Sequence, residues 1–204
     1  MMDGFPSHLA ERTRHRNSVP SPHGSGPVVV WLKSSFRLHE NPAIDLGRHI
    51  AAEHNRPLLI YHGIDERYPH ASLRHHTMLL DAAVDMDEGC RKAGLRYVLH
   101  VARDGHRPSV MKAFSQSASC IITDLFPLPP WTNWVDSIAA SAACPVFDVD
   151  CHCVIPMPLF GKSVDRPYKF RDATKKMRKK RLQATWPTID VRPEAYTGPL
   201  PFEP

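Results

Sequence analysis

Two short stretches hold the side chains best suited to chemistry. Lys33-Ser34-Ser35-Phe36-Arg37 follows one apolar run, and Asp124-Leu125-Phe126-Pro127 follows another. Lys33 and Arg37 are suited to neutralising a phosphate or a polyglutamate tail, and Phe36 to stacking on a ring. The competing reading leaves both cations solvated and Phe36 in the core, and composition alone favours it. Asp124 could accept hydrogen bonds from a heterocycle while Phe126 supplies an apolar wall; equally often such an aspartate caps a turn. Trp131 and Trp134, three apart on a helix, fit packing against a sheet better than a cofactor box.

Other constellations exclude more than they suggest. No Gly-x-Gly-x-x-Gly and no P-loop follows the first apolar run, which argues against the common dinucleotide and NTP folds. Thirteen histidines invite a metal, but His75 and His76 are adjacent and Cys151-His152-Cys153 is too compact to close a tetrahedral site alone. No serine elbow or cysteine and histidine nucleophile signature is present. No metal and no catalytic residue is expected from these patterns.

The net charge of +5 belongs to one segment. Lys162 to Arg181 holds ten Lys or Arg and two Asp, a net of +8, leaving −3 for the rest of the chain. Lys169, Arg171, Lys175, Lys176, Lys179 and Lys180 are candidate nucleic-acid contacts, because cations along one helix release counterions from a phosphate backbone. The alternative is a solvated helix in a linker. No base-reading motif accompanies the run, so sequence-specific recognition is not expected.

These residues must be positioned by something, and the hydrophobic pattern says what. Val28 to Leu32, Pro57 to His62, Leu95 to Val101, Cys120 to Thr123 and Pro145 to Val149 read as strands. Helices are expected over Pro42 to His54 with Asn41 as cap, over a long run from Ser72 closed by Gly94, and over Pro108 to Ala118 and Trp131 to Ala142. Strict alternation predicts an α/β fold, a doubly wound five-stranded parallel sheet with helices on both faces. With order 3-2-1-4-5, a ligand crevice lies between strands one and four, walled by the loops Lys33 to Glu40 and Asp124 to Pro130. Residues 1–27, rich in Pro, Ser and Gly, read as a flexible tail. Residues 151–204 read as a Pro-rich basic connector in which only Tyr168 to Ala184 is helical.

Size and composition agree with this division. A chain of 204 residues with 42% hydrophobic content supports one sizeable core plus tails. No apolar stretch reaches membrane-spanning length, no secretory signal is visible, and five cysteines without framework spacing fit reduced thiols. The expectation is an intracellular protein, cytoplasmic or nuclear, with Cys90 and Cys120 in the core.

Val-Val-Val-Trp-Leu-Lys-Ser-Ser-Phe-Arg-Leu-His-Glu-Asn-Pro-Ala at 28–43 resembles the opening of the DNA photolyase and cryptochrome family. Leu73-Arg74-His75-His76, Ile122 to Leu128, Val149-Asp150-Cys151-His152 and Val154-Ile155-Pro156-Met157 resemble the class II branch in order and spacing. The resemblance covers residues 28 to about 190. It implies a Rossmann-like domain over 28–150 whose crevice holds a light-harvesting antenna, a deazaflavin or methenyltetrahydrofolate. Trp31, Phe36, Arg37, Asp124 and Phe126 match by place, and Lys33 lies among them. In that family FAD binding and repair chemistry reside in a following helical domain, so FAD is not expected in this chain alone. The resemblance therefore implies chromophore or nucleotide binding without repair by this chain alone, with DNA and a separate flavin domain as partners. The competing expectations are an interaction protein working through residues 162–181 and an inactive truncated remnant.

Overall fold

The computed structural model describes residues 4–105 and 108–203. Met1 to Asp3 of the expected tail and Pro204 of the expected connector lie outside them.

The first strand expected from the sequence, β2 (Val28–Leu32), is buried at every position, as a β-branched run must be when both faces of a parallel sheet are covered. Its side chains alternate between two cores. Val28, Val30 and Leu32 face α2 (Pro42–Glu53) and α3 (Leu73–Lys92), while Val29 and Trp31 face α4 (Met111–Ser117) and α5 (Trp131–Ser141). The neighbouring strands β3 (Leu58–Asp65) and β5 (Cys120–Asp124) flank β2 in parallel, with Val30 opposite both Ile60 and Ile122. Beyond them lie β4 (Arg96–Ala102) on β3 and β6 (Val146–Val149) on β5. The five parallel strands thus run in the expected order, with helices on both faces.

The helix signals in the sequence operate locally. The Asn41 side chain accepts from the amides of Ala43 and Ile44, while its Nδ2 donates to the Ser35 and Arg37 carbonyls. The capping residue therefore also holds the loop that precedes it. α2 crosses β2 closely at Gly47, where a Cβ would lie 2.4 Å from Val30 Cγ2. Gly94 follows α3 at φ 68°, the left-handed geometry that a glycine tolerates.

The N-terminal segment corrects the expectation of a flexible tail. A short α1 (Ser7–Ala10) buries Leu9 completely, and β1 (Thr13–His15) pairs antiparallel with β6, making the sheet six-stranded. Asp148 of β6 receives Arg14 through Nε at 2.9 Å and Nη2 at 2.7 Å, and Arg16 through Nη1 at 3.0 Å. The Pro, Ser and Gly content concealed this because the anchoring carboxylate stands more than a hundred residues away.

After β6 come α6 (Met157–Phe160) and α7 (Pro167–Leu182). The remaining chain is irregular yet anchored. Trp186 Nε1 donates to Asp45 Oδ2 at 2.8 Å, and Leu58 exchanges backbone hydrogen bonds with Glu194 and Tyr196. Phe202 packs against Tyr61 and Phe114. Among the described residues no helix is long and apolar enough to cross a membrane.

Candidate functional site

The sheet order reverses at β2, and the ends of β2 and β5 are where the sequence places a crevice. The structure closes that place. The Asp124 Oδ1 accepts the Lys33 amide at 3.0 Å, and Oδ2 accepts the amides of Ser34 at 2.6 Å and Ser35 at 2.7 Å and the Ser34 hydroxyl at 2.7 Å. Asp124 is fully buried. Burial alone would raise its pKa, but Lys33 and the donors of Ser34 and Ser35 outweigh that and hold it below the ordinary carboxylate value. Its lone pairs are taken by the loop, so Asp124 caps a turn.

Lys33 is likewise not the solvated cation that composition favours. Its side chain is 3% exposed, and its ammonium donates to Thr123 Oγ1 and, at 2.7 Å, to the Asp124 carbonyl, with the carboxylate at 3.5 Å. Burial draws the Lys33 pKa down, and the Asp124 carboxylate opposes that shift. The same nitrogen lies 4.9 Å from the Trp31 ring centroid, a cation–π contact.

With the β2/β5 gap closed, the open space lies one strand over. A cavity of about 270 Å³ sits at the carboxyl ends of β2, β3 and β4, under the first turn of α3 and beside α5. Of the six candidate cofactor residues, Trp31 and Lys33 line it. Phe36 lies against His62 with tilted rings 4.2 Å apart and lines a separate groove with Arg37. Arg37 reaches the Cys151 carbonyl at 2.8 Å, and Phe126 lies behind Trp131 at 4.9 Å.

The cavity walls include residues that sequence reasoning set aside. Trp131 and Trp134, expected to pack on the sheet, both line it, and Tyr68 joins them at 5.7 and 6.1 Å. Such separations and tilts are those of edge-on aromatic contacts. Tyr61 and Leu79 complete the apolar wall. His62, His75 and His76 also line the cavity, and each carries one buried ring nitrogen without a partner among the described residues. The other nitrogen of His62 meets the Tyr97 hydroxyl at 2.8 Å, and burial pushes the His62 pKa down to about 4, so the ring is neutral at physiological pH. Buried polar atoms ordinarily find partners. The signal that could have drawn attention here is the density of Tyr, His and Trp in the loop and first helical turns that follow β3 and in the first turn of α5 after β5. Among the described residues no group of three His, Cys, Asp or Glu is arranged to hold a metal ion.

The candidate nucleic-acid contacts lie elsewhere. Lys169, Arg171, Lys175, Lys176, Lys179 and Lys180 are all exposed on α7, and none lines the cavity.

Comparison with known proteins agrees with the opening motif. The chain is 29% identical over 148 residues to the deoxyribodipyrimidine photo-lyase of Methanothermobacter thermautotrophicus, covering 72% of this chain and 33% of that protein. It is 26% identical over 136 residues to the photo-lyase of the same description from Potorous tridactylus, covering 65% of this chain and 25% of that one. A bacterial class III photolyase structure from Agrobacterium tumefaciens aligns with a TM-score of 0.46 at 18% identity, over 65% of this chain and 27% of its own. The chain thus spans between a quarter and a third of the length of the curated relatives it matches. The family profile described as DNA photolyase matches residues 28–193, from the first residue of β2 through α7 and into the anchored segment beyond it. By that match the chain belongs to the DNA photolyase family.

Proposed function

We propose that this α/β domain binds a planar conjugated chromophore or nucleotide ring in the cavity beside Trp31 and Trp131. The observation that carries this is the pairing of aromatic walls with buried histidine nitrogens that have no partner among the described residues. Small-molecule sites combine an apolar lining with a few convergent polar groups in this way. A volume of about 270 Å³ suits one fused ring system and does not enclose a whole dinucleotide such as FAD. A deazaflavin or methenyltetrahydrofolate antenna fits these residues. Trp31, Tyr68, Trp131 and Trp134 would hold the ring, and His62, His75 and His76 would meet its polar edge. Such a group, when bound, absorbs light and passes the excitation on. The chain's own residues hold the ring and exclude water from it.

The photo-lyase activity named for the curated relatives is, for this chain, part of the same proposal. The domain would collect light for a separate flavin-bearing unit that repairs DNA, and none of its own residues is assigned to bond breaking.

Mixing purified protein with a deazaflavin, methenyltetrahydrofolate and FAD tests this. Saturable quenching of tryptophan fluorescence and a shifted ligand absorbance are expected with one of the first two. An unchanged spectrum with all three overturns the proposal.

A further inference from the structure

Two arginines of this chain set the paired Nε and Nη2 edge of the guanidinium on a carboxylate. Arg14 does so on Asp148 at 2.9 and 2.7 Å, and Arg67 on Asp65 at 2.8 and 2.6 Å. This two-point fork is the strongest geometry a guanidinium offers. Arg12 leaves it unused. Its Nη1 donates to the Asp150 carbonyl at 3.1 Å and the Cys153 carbonyl at 2.9 Å, while neither Nε nor Nη2 has a partner among the described residues. Yet Arg12 is only 8% exposed, and among the described residues it forms no ion pair. The neighbouring carboxylates are occupied: Asp150 accepts the amides of His152 and Cys153 at 3.0 Å and of Met157 at 2.8 Å, and Glu11 pairs with Arg181. Burial draws the Arg12 pKa down, and the Arg181 charge adds to that. A buried cation without a counter-charge is costly, and an anion at its open edge would relieve the cost.

The surroundings say which anion. Arg12 lines a groove of about 800 Å³ bounded by α1, the loop after β6 and the C-terminal end of α7. Arg37 enters the groove from the loop after β2 and is held, as Arg12 is, by main-chain carbonyls: Cys151 at 2.8 Å and Glu40 at 3.0 Å. The two guanidiniums thus grip the same short loop, and neither pairs with a carboxylate among the described residues. Lys180 and Arg181 line the groove as well, and its carboxylates are Glu11 and Glu40. Four cations against two carboxylates leave a charge of +2 with the histidines set aside. A phosphate monoester, at about −1.5 to −2 near pH 7, balances that charge. Trp186 stands 5.1 Å from the Arg12 guanidinium carbon, and His8 meets the indole edge-on at 5.0 Å, so an aromatic wall adjoins the cations.

We propose that this groove binds a phosphate monoester, received by the unengaged edge of Arg12 and attracted by Arg37, Lys180 and Arg181. The groove shares no residue with the cavity beside Trp31 and Trp131. Its occupancy is therefore independent of ring binding there.

Isothermal titration and thermal unfolding of the full chain at neutral pH and constant ionic strength test it, with inorganic phosphate, AMP and dimethyl phosphate as probes. Saturable binding of inorganic phosphate or AMP is expected, with a Tm that rises with their concentration, as it does when a ligand binds only the folded state. Tighter binding of AMP identifies a nucleotide and equal affinities a free phosphate, and either supports the site. Arg12→Lys keeps the charge but removes the paired edge, and it should weaken binding by at least about tenfold. Lys180→Gln, at an exposed position, should weaken binding about threefold with an unchanged circular dichroism spectrum; this variant decides if Arg12→Lys does not fold. A Tm rise no larger than that given by sodium chloride at the same ionic strength overturns the proposal, as does unchanged affinity in either folded variant. Dimethyl phosphate binding as tightly as the monoesters would give the groove to a phosphodiester and overturns it equally.

Discussion

The Lys33 ammonium lies 3.5 Å from the Asp124 carboxylate, and that carboxylate also gathers the amides of Lys33, Ser34 and Ser35. One side chain at the end of β5 therefore fixes the whole loop leaving β2. Replacing Asp124 by Asn would leave the lysine buried without its counter-charge and would put an amide donor in place of one carboxylate oxygen, so that the Ser34 and Ser35 amides or the Lys33 amide lose their acceptor. Losing one partner of a buried pair costs about 3–5 kcal/mol. A urea midpoint for Asp124→Asn equal to that of the unmodified protein would refute this role. Lys33→Met should cost less, because the carboxylate keeps its donors from Ser34 and Ser35.

His62 gives the fold a dependence on pH in a defined window. In the unfolded chain its imidazole takes a proton below about 6.5, whereas the folded site resists until about 4. Between these values the unfolded state binds more protons, so stability falls as pH drops, by about 3 kcal/mol in all. Comparing urea unfolding at pH 7 with pH 4 in the unmodified protein and in His62→Gln isolates this part. Equal losses in both would show that His62 does not carry it. Asp124, whose folded pKa is depressed, holds its contribution above about 3.9 and loses it as pH falls further.

Deleting residues 1–17 tests whether the N-terminal segment is structural. Removal takes Leu9 from the core and both Arg14 and Arg16 from Asp148, and it bares the edge of β6. The expected result is a Tm lower by several degrees and concentration-dependent aggregation, since an open strand edge templates pairing. An unchanged Tm by calorimetry would restore the flexible-tail reading.

Trp186→Phe keeps the ring in contact with α2 but removes the donor to Asp45. Asp45 is buried, and burial raises its pKa while Trp186 opposes that. Losing a hydrogen bond to a buried carboxylate should cost about 1–3 kcal/mol, measurable by urea unfolding at neutral pH. A smaller penalty at pH 4 is expected, where the carboxyl is more readily neutral; an equal penalty at both would disconnect Asp45 from the effect.

If the cavity holds a conjugated ring, Trp131→Leu should weaken its binding by about tenfold through loss of one aromatic contact. Titration by fluorescence reads this directly. Unaltered affinity would remove Trp131 from the wall.

The parallel core was legible because its signals are local. A β-branched run, an Asn-Pro cap and a C-terminal Gly each act within a few residues, so β2, α2 and α3 could be read in place. The alternation of elements then implied a parallel, doubly wound sheet, with the order 3-2-1-4-5 as a supposition compatible with it. The site was less legible because its residues meet across the chain. Asp124 is a cap for a loop about ninety residues earlier, which nothing near it announces. Trp131 and Trp134 look like packing residues until Tyr68 and His75, from the loop and helix after β3, stand opposite them. The N-terminal strand failed to declare itself for the same reason, its partner carboxylate lying 134 positions away.

That separation also sets an order of assembly. β1 precedes every other strand of the sheet, yet it has no partner until β6 has emerged and taken its place beside β5. Long-range pairing of this kind closes a large loop and comes late. The earliest residues of the domain to leave the ribosome are therefore among the last to be set, and their arginines act as a latch that shuts only once the rest of the sheet exists.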